Sequence, residues 1–387
     1  MSIDREHRTG GTARSNVFTD DDRPSGADDA IVRIETYALA VPLEHPPADA
    51  HAFLTHWTIP VVEVETREGL IGTGISGIHA GAELLCAAVT DYLGPTILGR
   101  ASSEVRALWQ RMYWSPLHWV GRAGVTQMAL AMVDIALWDL AARRAGLPLW
   151  RYLGGHHPRL NAYNTDGGWL NRSRAELVDD MVALVEAGWT RVKMKVGKPD
   201  WREDVARIRA VRDAIGPDIA LMCDVNKRWD LETALRMAPY LEEAEVGWLE
   251  EPLHPDDVRG HRVLQHRTRV PIALGESLYS HHAFTQFIDA GAVRIVQPDV
   301  TRLGGVTEFL QVQAAALAAG LWVVPHAGDM MQVHQHLVAA AFAEAPTLLE
   351  YIPWTLAAYE EPCIADPPYV HAPTAPGAST RIAARAR

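Results

Sequence analysis

Residues 190–196 read TRVKMKV, 219–226 IALMCDVN, 246–250 VGWLE and 271–276 PIALGE. Each is a short apolar run that ends in polar residues, and helical stretches of roughly a dozen residues separate the runs. The same pattern reaches back to 160–163 and on to 293–297, 322–325 and 348–351, making eight β–α units. Strands that are apolar on both faces belong in a parallel sheet covered on both sides. Eight of them close most naturally as a (β/α)8-type TIM barrel. A doubly wound open sheet is the alternative, but a glycine-rich GxGxxG first turn is missing.

Polar residues stand where these strands end: Lys193 and Lys195, Asp224 and Asn226, Glu250, Glu276, Asp299, His326 and Glu350. Starting from Lys195 and taking one residue per strand, the intervals are 29, 26, 26, 23, 27 and 24 residues, each about one β–α unit. In a barrel such positions converge on one mouth, where barrel active sites lie. Three carboxylates on consecutive strands, Asp224, Glu250 and Glu276, would repel one another unless a cation sat between them. All-oxygen ligands favour Mg²⁺ over zinc. Lys193 and Lys195 flank Met194, so both point to one face of the strand. If that face is the barrel interior, two like charges beside a metal depress each other's pKa, and a neutral amine can serve as a base. His326 and Asp299 end neighbouring strands, so the carboxylate can orient the imidazole. Taken singly, each of these residues has a bland structural explanation; the register across successive units is what sets them apart.

The flanking sequence frames this barrel. Residues 31–76 alternate like an antiparallel sheet, and 79–146 read as helices that end at Gly146 and Pro148. Between the first two strands, residues 41–60 carry Pro42, Pro46 and Pro47 and many polar or aromatic groups, which predicts a long loop of the kind that serves as a lid. His51 and Trp57 lie in it and are candidate substrate contacts. Residues 1–29 are expected to form a flexible tail.

The net charge of −12 is spread along the 387 residues, which disfavours a nucleic-acid partner. No apolar leader opens the chain, and the longest apolar run, near 129–142, is broken by Asp134 and Asp139, so no membrane span is expected. Three scattered cysteines, Cys86, Cys223 and Cys363, fit a reducing cytoplasm better than a disulfide framework or zinc knuckle. A small-molecule substrate and a homo-oligomeric assembly are expected.

The segments AMVDIALWDLAARRAGLPLWRYLGG, VKMKVG, CDVN, WLEEP, ALGES, QPDVTRLGGVTE, VPHAGDMMQVHQHL and LLEY together resemble the mandelate racemase subgroup of the enolase superfamily. The resemblance runs from about residue 31 to the C-terminus and implies an α+β capping domain over 30–150, the barrel over 151–362, and a C-terminal segment over 363–387 that returns to the cap. It implies that Asp224, Glu250 and Glu276 bind Mg²⁺ and that Lys195 is a base, assisted by Lys193 at the substrate carboxylate. It also implies that His326 with Asp299 faces the other side, and that Glu350 is a hydrogen-bonding group near that carboxylate. The spacing from His326 to Leu337 is similar to sugar-acid dehydratases, particularly the fuconate-type group, and departs from them at Asp329-Met330-Met331. Asn226 and Arg302 join the candidate substrate contacts; Arg302 stands where some members carry lysine, which keeps the charge and changes the geometry.

The reaction this implies is removal of the proton α to the carboxylate of an aldonate or aldarate, giving an enediolate. Loss of the β-hydroxyl then yields a 2-keto-3-deoxy acid. A racemase, epimerase or cycloisomerase on the same scaffold is the alternative, followed by a binding or regulatory homologue with little turnover. The last predicts a broken catalytic set, and no named position is missing. His334-Gln335-His336 resembles the HxH pair of zinc hydrolase barrels, but it follows His326 by eight residues and is expected to begin a helix rather than end a strand.

Overall fold

The computed structural model describes residues 26–327, 330–341 and 347–386. Most of the expected tail, residues 1–25, and Asp329 lie outside the described residues. The last part of that tail is held in place: the Asp28 carbonyl accepts from Glu68 N at 2.9 Å and the Asp29 carbonyl from Ser102 N at 3.0 Å.

Strands β1 (Ile31–Pro42), β2 (His56–Thr66) and β3 (Ile71–Ile75) form an antiparallel sheet in that order. The loop expected over 41–60 is therefore shorter. Both strands run into it, pairing as far as Pro42 with His56, and leave residues 43–55 as the connection. Trp57 consequently sits in β2 and is buried.

The helix Val125–Arg144 packs across β3, and its close approach requires small residues there. A methyl group at Gly74 would overlap the Met132 carbonyl, and one at Gly72 the Ala136 carbonyl. Gly74→Ala is expected to destabilise the fold by about 1–3 kcal/mol, because backbone rather than a pliable side chain would have to give way. An unchanged midpoint in chemical denaturation would contradict this packing.

That helix has the length and apolar composition of a membrane span, yet 83% of its apolar window is buried inside the protein. The two aspartates that interrupt it make specific contacts. Asp134 accepts from Thr307 N and Oγ1 at 2.9 and 2.6 Å, tying the cap to the barrel helix Gly305–Ala318. Asp139 accepts from Thr73 N at 3.0 Å and Ala378 N at 2.6 Å, joining β3 to the C-terminal segment. Burial pushes the Asp134 carboxyl up to about 7, against the pull of its Thr307 bonds.

The eight barrel strands are β4 (Arg159–Asn164), β5 (Arg191–Lys195), β6 (Ala220–Asp224), β7 (Val246–Glu250), β8 (Ile272–Leu274), β9 (Ile295–Val296), β10 (Trp322–Val323) and β11 (Leu349–Tyr351). They pair in parallel from β4 through β10, and β11 pairs with β4. Between β10 and β11 the described residues form no ladder; Thr347 Oγ1 donates instead to the Val323 carbonyl at 2.7 Å. A short hairpin, β12 (Ala365–Asp366) and β13 (Tyr369–His371), lies antiparallel on the start of β4. The fold is an α/β barrel with an N-terminal α+β cap. Its bore is filled at one level by Tyr163, Met222, Trp248, Ala273, Ile295, Val324 and Leu348.

Candidate active site

Parallel register aligns the strand ends. Lys195 pairs with Asp224 across β5 and β6, and Asp224 with Glu250 across β6 and β7. Both lysines are buried and face the bore, as strand alternation requires. Lys195 Nζ donates to Asp224 Oδ2. Lys193 Nζ lies 2.7 Å from Glu250 Oε1, 2.6 Å from Glu350 Oε1 and 3.7 Å from Asp224 Oδ2. Glu350 is held by Thr165 Oγ1 at 2.6 Å and Ala327 N at 3.0 Å.

Across the mouth, His326 Nδ1 meets Asp299 Oδ2 at 2.9 Å and Nε2 meets Glu276 Oε2 at 3.0 Å. Asp299 is fixed in turn by Thr301 N and Oγ1 at 2.9 and 2.8 Å. Arg302 reaches both acids, with Nε 3.3 Å from Asp299 Oδ2 and Nη1 3.5 Å from Glu276 Oε1.

Burial does pull both lysine amines down, but the charges of Glu250 and Glu350 on Lys193, and of Asp224 on Lys195, outweigh burial and its neighbour's repulsion. Both amines are thereby held above the usual lysine range. Burial pushes the Glu250 carboxyl up to about 7, opposed by Lys193 and reinforced by Asp224 and Glu350. Burial would lower His326, yet the charge of Glu276 and the bond to Asp299 raise it to about 10.

The donor set fits a hard divalent cation. It offers three carboxylates at consecutive strand ends, and beside Asp224 the buried Asn226 Oδ1 has no hydrogen-bond partner. Among the described residues no three His, Cys, Asp or Glu side chains enclose a point as ligands would. Each acid is turned instead onto a cation of the protein: Asp224 onto Lys195, Glu250 onto Lys193, Glu276 onto Lys227 and His326.

The loop from the cap reaches this mouth, where His51 Nε2 donates to the Asn226 carbonyl at 2.6 Å. Trp57 stands further off. Its ring meets Trp354 at 6.0 Å, Trp354 meets Trp169 at 5.0 Å, and Lys195 Nζ lies 5.5 Å over Trp169. The histidines of the HxH pair begin the helix His334–Ala339 and are wholly buried. His334 Nε2 accepts from Val300 N at 3.0 Å and His336 Nδ1 from Trp150 N at 3.2 Å, which are structural roles.

Several site residues escaped sequence reasoning. Lys227 bridges Glu251 at 2.9 Å and Glu276 at 3.1 Å. Gln297 Nε2 and Trp248 Nε1 donate to Glu250 Oε2 at 2.8 and 3.1 Å. The doubled acid of WLEEP and the lysine directly after Asn226 were the available signals.

Comparison with known proteins agrees with this architecture. Residues 33–154 match the mandelate racemase / muconate lactonizing enzyme N-terminal domain, and 176–386 the enolase C-terminal domain-like family. An L-talarate/galactarate dehydratase of Salmonella typhimurium is 37% identical over 332 residues, covering 83% of this chain and 82% of that protein. A 3,6-anhydro-alpha-L-galactonate cycloisomerase of Streptomyces coelicolor is 34% identical over 353 residues, covering 90% and 95%. The crystal structure of L-talarate dehydratase from Polaromonas sp. JS666, complexed with Mg and L-glucarate, superposes with a TM-score of 0.85 at 34% identity, over 92% of this chain and 96% of that one. With both family domains matched in order and these full-length relatives, the chain belongs to the mandelate racemase / muconate lactonizing enzyme family of the enolase superfamily.

Proposed function

We propose that this protein is a Mg²⁺-dependent acid-sugar dehydratase, with Asp224, Glu250 and Glu276 holding the metal, Lys195 as base and His326 as acid. The observation that carries the reading is the placement of an amine and an Asp-oriented imidazole on the second and seventh barrel strands, with three carboxylates on the strands between. A proton α to a carboxylate is weakly acidic because its removal builds a second negative charge; bound Mg²⁺ supplies the positive charge that offsets it.

Lys193, fixed by Glu350, positions the substrate carboxylate. Lys195 Nζ takes the α-proton, breaking the C–H bond. His326 Nε2 gives a proton to the β-hydroxyl, the C–O bond breaks and water leaves. The resulting enol takes a solvent proton at C3 and becomes the 2-keto-3-deoxy acid. Asn226, His51 and Arg302 border the mouth and contact the hydroxylated body, and Trp57 backs them through Trp354.

Galactarate and L-talarate are the first substrates to test, since dehydratases of that name are among the similar proteins. A screen of aldarates and aldonates with Mg²⁺, scored for 2-keto acids, decides the matter. Solvent exchange at the α-carbon without keto acid would favour the epimerase reading, and the cycloisomerase relative keeps 3,6-anhydro-galactonate in the panel.

Glu250→Gln is expected to weaken Mg²⁺ binding on the order of 10–100-fold or more, measured by titration calorimetry, because a neutral amide replaces a charged ligand. Unchanged affinity would remove Glu250 from the set. We place the protein in the cytoplasm, in keeping with its free thiols at Cys86, Cys223 and Cys363. The exposed Trp114, Trp119 and Val120 on the cap support a homo-oligomer.

A further inference from the structure

The opposite mouth of the barrel, where the strands begin, opens into a second cavity of about 610 Å³. That volume lies within the range of small-molecule sites, about 300–1,000 Å³. Its floor is apolar: Met222, Trp248, Ile295 and Leu348 all belong to the cluster that fills the bore. Trp322 stands in its wall and leaves 44% of its surface exposed.

The rim is cationic. Arg191, Arg269 and Arg294 line the cavity, and no acidic side chain does among the described residues, in a protein whose net charge is −12. Arg269 is tethered outward to Glu242 at 3.1 Å, and Arg191 donates to Thr190 Oγ1 at 3.4 Å. Arginine presents a planar fork that suits carboxylate and sulfonate oxygens and stacks on flat rings.

We propose that this strand-start mouth is a second small-molecule site, which takes an organic anion with a flat apolar body, of the aryl carboxylate or aryl sulfonate class. The apolar floor rejects a polyhydroxylated acid sugar, which would lose hydration there without gaining partners. The two sites lie on either side of one layer of side chains. Trp248 forms the floor of the cavity, while its Nε1 donates to Glu250 at the other mouth.

The test titrates 8-anilinonaphthalene-1-sulfonate into the full-length protein and follows its fluorescence. Saturable binding of one probe per chain is expected. Arg191→Glu with Arg294→Glu should weaken it tenfold or more while the melting curve stays that of the parent. Gly247→Phe provides an independent block. A Cβ at Gly247 meets nothing closer than 3.7 Å, so a ring there enters the cavity without backbone strain and should abolish the saturable phase. Saturating Mg²⁺ and galactarate should leave probe binding unchanged. Undiminished affinity in either variant, or expulsion of the probe by galactarate, would overturn the proposal.

Discussion

Lys195→Ala should lose about 10³–10⁴-fold in keto-acid formation, and the wash-out of the substrate α-hydrogen into solvent should fall with it. The amine is the basic group on β5 that faces the mouth beside the first proposed metal ligand, Asp224. The other lysine of that strand is committed to Glu250 and Glu350 and lies deeper. Removing Lys195 therefore removes the proton acceptor while leaving Asp224, Glu250 and Glu276 free to hold Mg²⁺, so metal affinity should persist. Lys195→Arg separates two explanations. It keeps the positive charge against Asp224 but cannot give up its proton near neutral pH, so it should be as inactive as the alanine variant. Activity in the arginine variant would show that charge alone is needed.

His326→Asn is expected to abolish product formation by a similar factor while leaving α-hydrogen exchange in place. Asp299 takes Nδ1, so Nε2 is the nitrogen able to pass a proton toward substrate. Asparagine keeps a donor near Asp299 but has no second site that exchanges a proton at neutral pH. Exchange without elimination is what an intact base beside a missing acid produces. Loss of both signals would assign the α-proton to His326 and reverse the two roles.

Most of the barrel was legible because repetition at one β–α interval is a strong signal. All eight strands lie where the apolar runs end in polar residues, although β9 and β10 shrink to two residues each. The convergence of Lys195, Asp224, Glu250, Glu276, Asp299, His326 and Glu350 followed from the same interval, since a closed parallel barrel brings strand ends together. What stayed hidden depends on side-chain direction within the connecting loops. Lys227 follows Asn226 in a loop where both adopt left-handed backbone conformations, with φ of 66° and 46°, so strand alternation says nothing about its aim at Glu276. Trp57 looked like part of a loop because prolines and polar residues precede it, whereas pairing with Val41 extends the strand over it. Around Lys193 and Lys195 the charges of Asp224, Glu250, Glu276 and Glu350 outweigh the mutual repulsion of the amines, whose lowered pKa was expected beside Mg²⁺. The HxH pair begins a helix, as its place after the strand end led one to expect.

One Mg²⁺-loaded mouth is expected to remove an α-proton and then expel the neighbouring hydroxyl. Incubation of the protein with galactarate or L-talarate and Mg²⁺ in ²H₂O, followed by proton NMR, tests it most directly. The expected product is a 2-keto-3-deoxy acid carrying solvent deuterium at C3, formed only when the metal is present. Substrate recovered with neither keto acid nor deuterium at the α-carbon, across the aldarate and aldonate panel, would contradict it.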